Sequence, residues 1–324
     1  MFKTCSFTNT VMPFMICSFV FLIISFNAHA LVYDLVLVGD SGNASDPITN
    51  LGRVNQSYKI GKYTVTIEQY TDFLNAVAAQ DSYFLYNMNM TIPNVAGIKR
   101  QGVSGVYTYT VMNNQGYSGN RPITSVSWFS AARFANWMAN GQPTGAQING
   151  TTEDGAYPLH GLTTGLTVAK NNNNPNTLAP PSFYLPSDDE WYKAAYYDGS
   201  GAYFLFATQS NTTPGNIIGA AANQANYMSN QTGYCTTHSF TTSISVNYLT
   251  DVGSFISSSS YYGTFDQTGN VWEWNATNKA AQQYATLRGG AYTSTYPPYV
   301  LSNYYLSTLP NELAINVGFR LAAP

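Results

Sequence analysis

The feature that most restricts the fold of this chain is how little regular structure its sequence encodes. Only three short segments combine a helix N-cap residue with apolar side chains at spacings of three and four. Long stretches rich in Asn, Gly, Thr and Ser separate them, notably residues 140–181 and 200–250. Such loops are uncommon in compact domains unless they serve a function, because ordering them costs conformational entropy. We therefore expect few helices, few short strands and long loops.

The first predicted helix follows Thr66, which forms a capping-box pattern with Gln69. Its apolar residues share one face, and we expect the helix to end near Gln80. Farther along the chain, alternation of residue types over residues 107–112 predicts a strand. Both elements are short, in keeping with a loop-rich domain.

The second and third predicted helices also begin at clear cap residues. Ser127 precedes an apolar helical pattern over Trp128–Ala139, which stops at an Asn-Gly pair typical of a left-handed C-cap. Ser187 opens the third helix with Glu190 as its capping-box partner, and an Asp-Gly pair follows it. Acids are favoured at a helix N-terminus, so we interpret the acidic residues 188–190 as capping. The alternative is a catalytic carboxylate pair within this cluster.

Composition indicates a folded chain and argues against nucleic acid as a partner. Charged residues make up 9% of the sequence, where about 25% is usual, yet aromatic residues reach 15% and include 26 tyrosines. A disordered chain would instead be poor in aromatic residues and rich in charge. The formal net charge is −3, and no run of Lys or Arg offers several cations to a phosphate backbone. We expect a folded protein with no nucleic-acid partner.

Residues 1–30 have the pattern of a signal peptide. A mostly apolar run over Val11–Phe26 is followed by the small-x-small sequence Ala-His-Ala, which ends at Ala30. The alternative is an uncleaved anchor, since the apolar run approaches the roughly 20 residues that a membrane span needs. We expect cleavage after Ala30, export to a periplasm or out of the cell, no stable membrane insertion afterwards, and a mature domain over residues 31–324.

Cleavage at this position would leave a single cysteine. Cys5 and Cys17 both lie in the predicted leader, so only Cys235 remains in the mature chain. The mature protein then cannot form an internal disulfide. A lone cysteine of this kind is more often a small buried apolar residue than a nucleophile.

Five sequence blocks, in a fixed order, resemble those of a known enzyme family. They are Gly61–Thr66 (GKYTVT), Leu185–Trp191 (LPSDDEW), Gly269–Trp274 (GNVWEW), Leu287–Tyr292 (LRGGAY) and Asn316–Arg320 (NVGFR). Together they resemble the formylglycine-generating enzyme (sulfatase-modifying factor) family, which includes relatives in ergothioneine and pyoverdine biosynthesis. The resemblance covers roughly residues 33–322. It implies a single irregular α+β domain, similar to the C-type lectin-like topology.

The resemblance also implies a chemistry that this sequence is not equipped to perform. Formylglycine-generating enzymes oxidise a substrate cysteine with oxygen and copper(I), a metal that soft thiolates bind preferentially. Matching the family's two active-site cysteines residue by residue places Ser294 and Tyr299 at their positions. Neither side chain can supply a thiolate, and Cys235 has no partner, so we expect no copper site.

The iron-dependent branch of the family fits the sequence no better. Non-haem iron usually takes two histidines and a carboxylate on one face, and the mature chain keeps only His160 and His238. We therefore expect no iron site and a non-catalytic protein. The alternative is a metal-dependent oxidoreductase of this family that uses other ligands, such as these two histidines and a carboxylate.

A calcium site is the family feature that carries over most completely. The family binds calcium through hard oxygen ligands around the Gly-Asn-x-Trp-Glu-Trp block, and these map onto Asp266, Gly269, Val271 and Glu273. Two of these residues need supply only a main-chain oxygen, and two are carboxylates. We expect calcium to stabilise the scaffold.

Two features limit the calcium prediction. Glu273 could instead pair with an arginine, such as Arg288 or Arg320. A second calcium site would begin at Asn226 and Tyr227, but its downstream Asp-x-aromatic element has no clear match here.

The segment from residue 292 to residue 311 has the composition of a binding surface. It holds tyrosines among Ser, Thr, Asn and Pro, namely Tyr292, Tyr296, Tyr299, Tyr304 and Tyr305. Tyrosine with Ser and Asn gives a large contact area at low entropy cost. We expect a ligand-binding face for a peptide, a glycan or a protein; the alternative is ordinary loop filling in a tyrosine-rich chain.

Overall fold

The computed structural model describes Met1 and residues 30–276, 282–295 and 297–324. The described domain is the compact unit Leu31–Pro324. The predicted signal peptide lies almost wholly outside the described residues, so its cleavage stays a prediction. Within the described ranges, no helix has both the length and the apolar character needed to cross a bilayer.

Three α-helices form at the predicted places. They are α1 (Ile67–Val77), α2 (Trp128–Ala139) and α3 (Asp188–Tyr196). Each N-cap side chain accepts a backbone N–H bond, which confirms Thr66, Ser127 and Ser187 as caps. Helix α1 ends at Val77 rather than near Gln80, because Asp81 turns the chain: it has a left-handed φ of 54° and accepts bonds from the Leu85 and Tyr86 amides.

Eleven short strands are described, in four small sheets. In chain order they are β1 (Leu35–Val38), β2 (Tyr58–Gly61), β3 (Ile98–Gln101), β4 (Thr108–Val111), β5 (Met228–Ser229), β6 (Gly233–Tyr234), β7 (Trp272–Trp274), β8 (Ala285–Arg288), β9 (Leu306–Thr308), β10 (Val317–Gly318) and β11 (Ala322–Ala323). The strand predicted at 107–112 is β4.

The strand orders bring distant parts of the chain together. One sheet has the order β1-β2-β11, another has the order β10-β7-β8-β9, and the pairs β3-β4 and β5-β6 form hairpins. In the first sheet, Ala322 pairs with Ile60, so the last strand lies beside the second. In the second sheet, β10 and β7 are parallel and the other pairs are antiparallel. The mixture of small sheets and three helices confirms an irregular α+β domain.

Aromatic side chains of α1 and α2 form the centre of the core. Phe73 and Phe134 meet edge to face at 5.2 Å between ring centroids, and Phe134 meets Phe319 at 5.4 Å. These rings, all fully buried, contact further apolar residues from both large sheets. Since aromatic pairs of this geometry add to the free energy of burial, the core holds α1 and α2 against the sheets.

Asparagine side chains order the long loop at 140–181. Asn136 on α2 donates to the carbonyls of Thr152 and Tyr157, at 2.7 Å and 2.8 Å. Asn174 donates to Asn140 Oδ1 at 2.8 Å. These amides satisfy backbone groups that a strand or helix would otherwise satisfy, so the loop is ordered with little regular structure.

Candidate functional site

The quoted sequence blocks converge on a buried ion pair. Arg320 donates to both carboxylate oxygens of Glu273, from Nε to Oε2 at 2.6 Å and from Nη2 to Oε1 at 2.8 Å. Trp191 Nε1 also donates to Oε2, at 2.7 Å. Arg320 donates further to the carbonyls of Gly61 and Phe265, both at 2.8 Å. Four of the five blocks therefore meet at one carboxylate and one guanidinium.

This pair identifies which arginine meets Glu273. Of the two arginines left open by the sequence, Arg320 is the partner, whereas Arg288 pairs with Asp188, its Nη2 donating to Oδ2 at 3.0 Å. Burial of Glu273 and Arg320 would be costly without this bidentate geometry, because each charge leaves water completely.

The remaining oxygens of the predicted calcium set lie on the adjoining loop. Asp266 has a left-handed φ of 61°, and its Oδ2 accepts the Gly253 N–H at 2.7 Å. Gly269 has a φ of 85°, and a Cβ there would lie 2.2 Å from the Asn226 carbonyl oxygen, which only glycine avoids. Val271, two residues before Glu273 in the sequence, is fully buried. The predicted set thus consists of two carboxylates and two main-chain carbonyls, on the loop before β7 and on β7 itself.

The charges around Asp266 favour a cation. Burial raises the pKa of Asp266 to about 6, the negative charge of Glu273 adds to this, and Arg320 with the Gly253 N–H opposes it. Two carboxylates therefore face a single guanidinium, which leaves an excess of negative charge. Oxygen donors of this kind suit calcium, so the donor chemistry of these residues is compatible with such an ion. Glu273 would share its carboxylate between the ion and Arg320.

Asn226 and Tyr227, predicted to begin a second calcium site, make hydrogen bonds to protein. The Asn226 amide donates to the Tyr248 carbonyl at 2.9 Å, and its own carbonyl accepts the Asn270 N–H at 2.7 Å. The Tyr227 hydroxyl donates to the Pro214 carbonyl at 2.5 Å. The bond between Asn226 and Asn270 joins the long loop at 200–250 to the loop that precedes β7, and the other two bonds lie within the long loop.

The first turn of α3 carries three acids, each with its own partner. Asp188 binds Arg288, Asp189 Oδ1 accepts the Gly52 N–H at 2.9 Å, and Glu190 Oε2 accepts the Ser187 N–H at 2.8 Å. The capping box predicted for this helix is confirmed. Since the carboxylates point to different segments, the geometry favours a structural role over a catalytic pair.

The two positions that match the family's cysteines lie close together beside Gly290. A Cβ at Gly290 would lie 3.3 Å from Ser294 Oγ and 2.9 Å from the Tyr299 carbonyl oxygen. Ser294 is buried, and its hydroxyl accepts the Ala291 N–H at 3.0 Å. Tyr299 keeps 39% of its surface exposed. The two positions matched to the family's cysteines thus carry a hydroxyl that forms a turn and a phenol ring.

Cys235 has the environment of a core residue. It is 2% exposed, and burial raises the pKa of its thiol to about 12. A thiol with so high a pKa carries almost no thiolate at neutral pH, and thiolate is the reactive form.

The two histidines lie on the surface. His160 Nε2 is 3.8 Å from Asp154 Oδ2, and its side chain is mostly exposed. His238 is also exposed and has a left-handed φ of 48°. Among the residues that the structure describes, no three or more His, Cys, Asp and Glu side chains gather where they could hold a metal. The predicted calcium set has only two such side chains, since main-chain oxygens complete it.

The predicted tyrosine face is smaller than the sequence indicated. Tyr292 does not belong to it: the side chain is 3% exposed and stacks on Tyr248 at 5.9 Å, because the loop at 200–250 covers it. Tyr296 lies outside the described residues. Tyr299 and Tyr304 meet edge to face at 4.9 Å, and Tyr304 is partly buried against β7.

Tyr305 completes the exposed part of this face and shows how it is held in place. It is 54% exposed, and the Arg288 guanidinium lies 5.4 Å from its ring centroid. Arg288 is itself buried and donates to the Ser302 carbonyl at 3.2 Å. The face therefore rests on the Asp188–Arg288 pair, a support that sequence reasoning missed. An arginine in the LRGG block next to a tyrosine-rich segment was the available signal.

Comparison with known proteins identifies the family. The model of the sulfatase-modifying factor enzyme 1-like domain matches residues 36–324. No curated protein matches the chain. Among solved structures, CarF has a TM-score of 0.51 at 17% identity, covering 90% of this chain and 98% of CarF. PvdO from Pseudomonas aeruginosa has a TM-score of 0.49 at 16% identity, with coverage of 89% and 93%.

Treponema denticola variable protein 1 has a TM-score of 0.45 at 17% identity, covering 90% of this chain and 95% of its own. At 17% identity the likeness to CarF bears on the fold alone, and it supports the α+β fold described above. The family model covers nearly all of the described domain. The chain therefore belongs to the family of the sulfatase-modifying factor enzyme 1-like domain.

Proposed function

We propose that this protein is an exported, non-catalytic member of its family that binds a ligand through its exposed tyrosines. One observation carries the proposal: the corner that matches the family's cysteine pair holds the buried hydroxyl of Ser294 and the ring of Tyr299. Copper(I) requires soft ligands, and these two oxygens are hard. Cys235, the remaining thiol of the mature chain, is buried and protonated.

The binding face consists of Tyr299, Tyr304 and Tyr305. Tyr299 and Tyr305 are substantially exposed, and Tyr304 contacts the Tyr299 ring edge to face. Rigid aromatic side chains with two rotatable bonds lose little entropy on binding, which is why tyrosine is common in binding loops. A peptide, a glycan or a protein segment would suit this surface, because phenol rings offer both an apolar face and a hydroxyl.

Calcium would stabilise the loop beneath this face. The ligands proposed are Asp266, the carbonyls of Gly269 and Val271, and Glu273. Support comes from the excess of buried negative charge at Asp266 and Glu273, for which Arg320 compensates only in part. A bound cation would rigidify the loop that leads into β7, against which Tyr304 packs.

Export follows from the proposed signal peptide at residues 1–30. Fractionation of a bacterial host that expresses the full chain, followed by N-terminal sequencing, tests this part. Cleavage is expected to leave Leu31 as the first residue outside the cytoplasm. An uncleaved chain in the membrane fraction would contradict it.

The binding function is tested on arrays of glycans and peptides. The wild-type protein is compared with the double variant Tyr299→Ala/Tyr305→Ala, which removes the exposed rings. The matched control is Tyr261→Ala, since Tyr261 is 48% exposed and does not belong to this face. We expect hits that the double variant loses and the control keeps. Hits retained by the double variant, or no hits at all, would overturn the assignment of this face.

A further inference from the structure

A cleft of about 520 Å³ shares no lining residue with the tyrosine face. It is lined by residues 54–58, which lead into β2, by residues 170–172, by the Pro180-Pro181 pair, and by Tyr184, Glu190 and Pro324. This volume lies within the range of small-molecule sites. The question is therefore which polar groups the cleft offers to a ligand.

Lys170 supplies a positive charge to this cleft. Its Nζ lies 3.3 Å from the centroid of the Tyr184 ring, a cation–π contact. Among the described residues, no carboxylate oxygen lies within ion-pair distance of it. Desolvation lowers the pKa of the ammonium, and the more distant charge of Glu190 opposes that effect. An anion brought to Lys170 would supply the partner that the protein does not.

Glu190, the one carboxylate side chain lining the cleft, is already engaged. Oε1 accepts the Tyr184 hydroxyl at 3.0 Å, and Oε2 accepts the Ser187 N–H at 2.8 Å. The Tyr58 hydroxyl donates to the main-chain carbonyl of Glu190. These bonds fix Glu190 as part of the wall, so no carboxylate side chain of the cleft is left without a partner.

The other walls offer neutral polar groups and apolar rings. Asn55, Gln56 and Asn172 present exposed amides, each of which donates and accepts hydrogen bonds. Hydroxyl groups also donate and accept, so amides are well matched to a polyhydroxylated molecule. Pro180 and Pro181 supply apolar surface to the same cleft.

We propose that this cleft binds a small acidic saccharide, a uronic acid or a short chain of them. The sugar carboxylate pairs with Lys170, and its hydroxyls bind the amides of Asn55, Gln56 and Asn172. The prolines contact the apolar face of the sugar ring. This site goes beyond the proposed function, since it uses none of the tyrosines of the binding face.

The test is a calorimetric titration of the purified protein with glucuronate. Lys170→Gln keeps a polar side chain and removes the charge, and Lys99→Gln removes an exposed charge outside the cleft. A charge-assisted bond contributes strongly to binding, so we expect Lys170→Gln to weaken glucuronate binding by about tenfold or more. Lys99→Gln and Tyr299→Ala/Tyr305→Ala should bind it as the wild type does.

Two further ligands separate the contributions of charge and hydroxyls. Glucose, which lacks the carboxylate, should bind more weakly than glucuronate, and acetate, which lacks the hydroxyls, should do the same. Equal binding of acetate and glucuronate would contradict a saccharide site. Equal binding of glucose, an unchanged affinity in Lys170→Gln, or no binding of glucuronate would each overturn the proposal.

Discussion

Arg320 and Glu273 form a bidentate ion pair in which both side chains are fully buried. The guanidinium also binds the carbonyls of Gly61 and Phe265, and the carboxylate also binds Trp191. Each of these residues lies at a different place along the chain, so the pair joins β2, α3, β7 and the segment before β11. The pair therefore connects elements that are distant in sequence, and we expect it to stabilise the whole domain.

Removal of Arg320 should therefore destabilise the domain strongly. Arg320→Ala leaves Glu273 buried without its cation, and breaking such a pair typically costs about 3–5 kcal/mol. Urea unfolding measures the change in free energy. Arg53→Ala, at an exposed position, is the control and should change stability by no more than about 0.5 kcal/mol. Equal stabilities of the two variants would contradict the central role of the pair.

Much of the helical structure could be predicted from sequence because caps are local. The three helix starts are marked by the cap residues Thr66, Ser127 and Ser187, and each cap is recognised from the few residues around it. Apart from β4, the strands could not be predicted in the same way. Strand β11 has two residues and exists because Ala322 pairs with Ile60 at the other end of the domain. Pairing of this kind leaves no local pattern.

Cys235 should be inert in the folded protein. Burial raises the pKa of its thiol from an ordinary 9.0 to about 12, so the thiolate is scarce at about pH 8. Iodoacetamide should alkylate Cys235 in urea and leave it unmodified in buffer, as mass spectrometry of the mature protein would show. Alkylation of the folded protein as fast as of the unfolded protein would contradict this.

The same thiol predicts the direction of a pH effect. Its folded-state pKa is the higher one, so the unfolded state loses the proton first as pH rises. The contribution of Cys235 to stability is therefore complete below pH 9.0 and declines from there towards about pH 12. Cys235→Ala should show a weaker decline over this interval than the wild type. Identical pH profiles would contradict the assignment.

Calcium removal should lower the melting temperature if the proposed site binds the ion. A ligand present at about 100 times its dissociation constant stabilises a protein by about 2.7 kcal/mol. Calorimetry with calcium or with a chelator measures the effect. Asp266→Asn should abolish it, whereas Asp251→Asn, at a half-exposed side chain, should retain it. A melting temperature that is independent of calcium in the wild type would count against the site.

The sequence predicts where the candidate site lies along the chain, but not which of its side chains contact one another. Residue matching identified the corner at Ser294 and Tyr299, and the structure brings both beside Gly290. The sequence leaves open whether Arg288 or Arg320 meets Glu273. Both arginines lie in the matching blocks, and only the fold orients them. Tyr292 was assigned to the surface because nothing local shows that Tyr248, from a distant loop, covers it.

The most direct test of the account is an assay for the family's own chemistry. The purified mature protein is incubated with copper(I), oxygen and a sulfatase-type peptide that contains one cysteine, with an active formylglycine-generating enzyme as positive control. Mass spectrometry follows the loss of mass that accompanies conversion of cysteine to formylglycine. With Ser294 and Tyr299 at the thiol positions, we expect the peptide to remain unchanged while the control converts it. Repeated turnover by this protein would contradict the claim that it is non-catalytic.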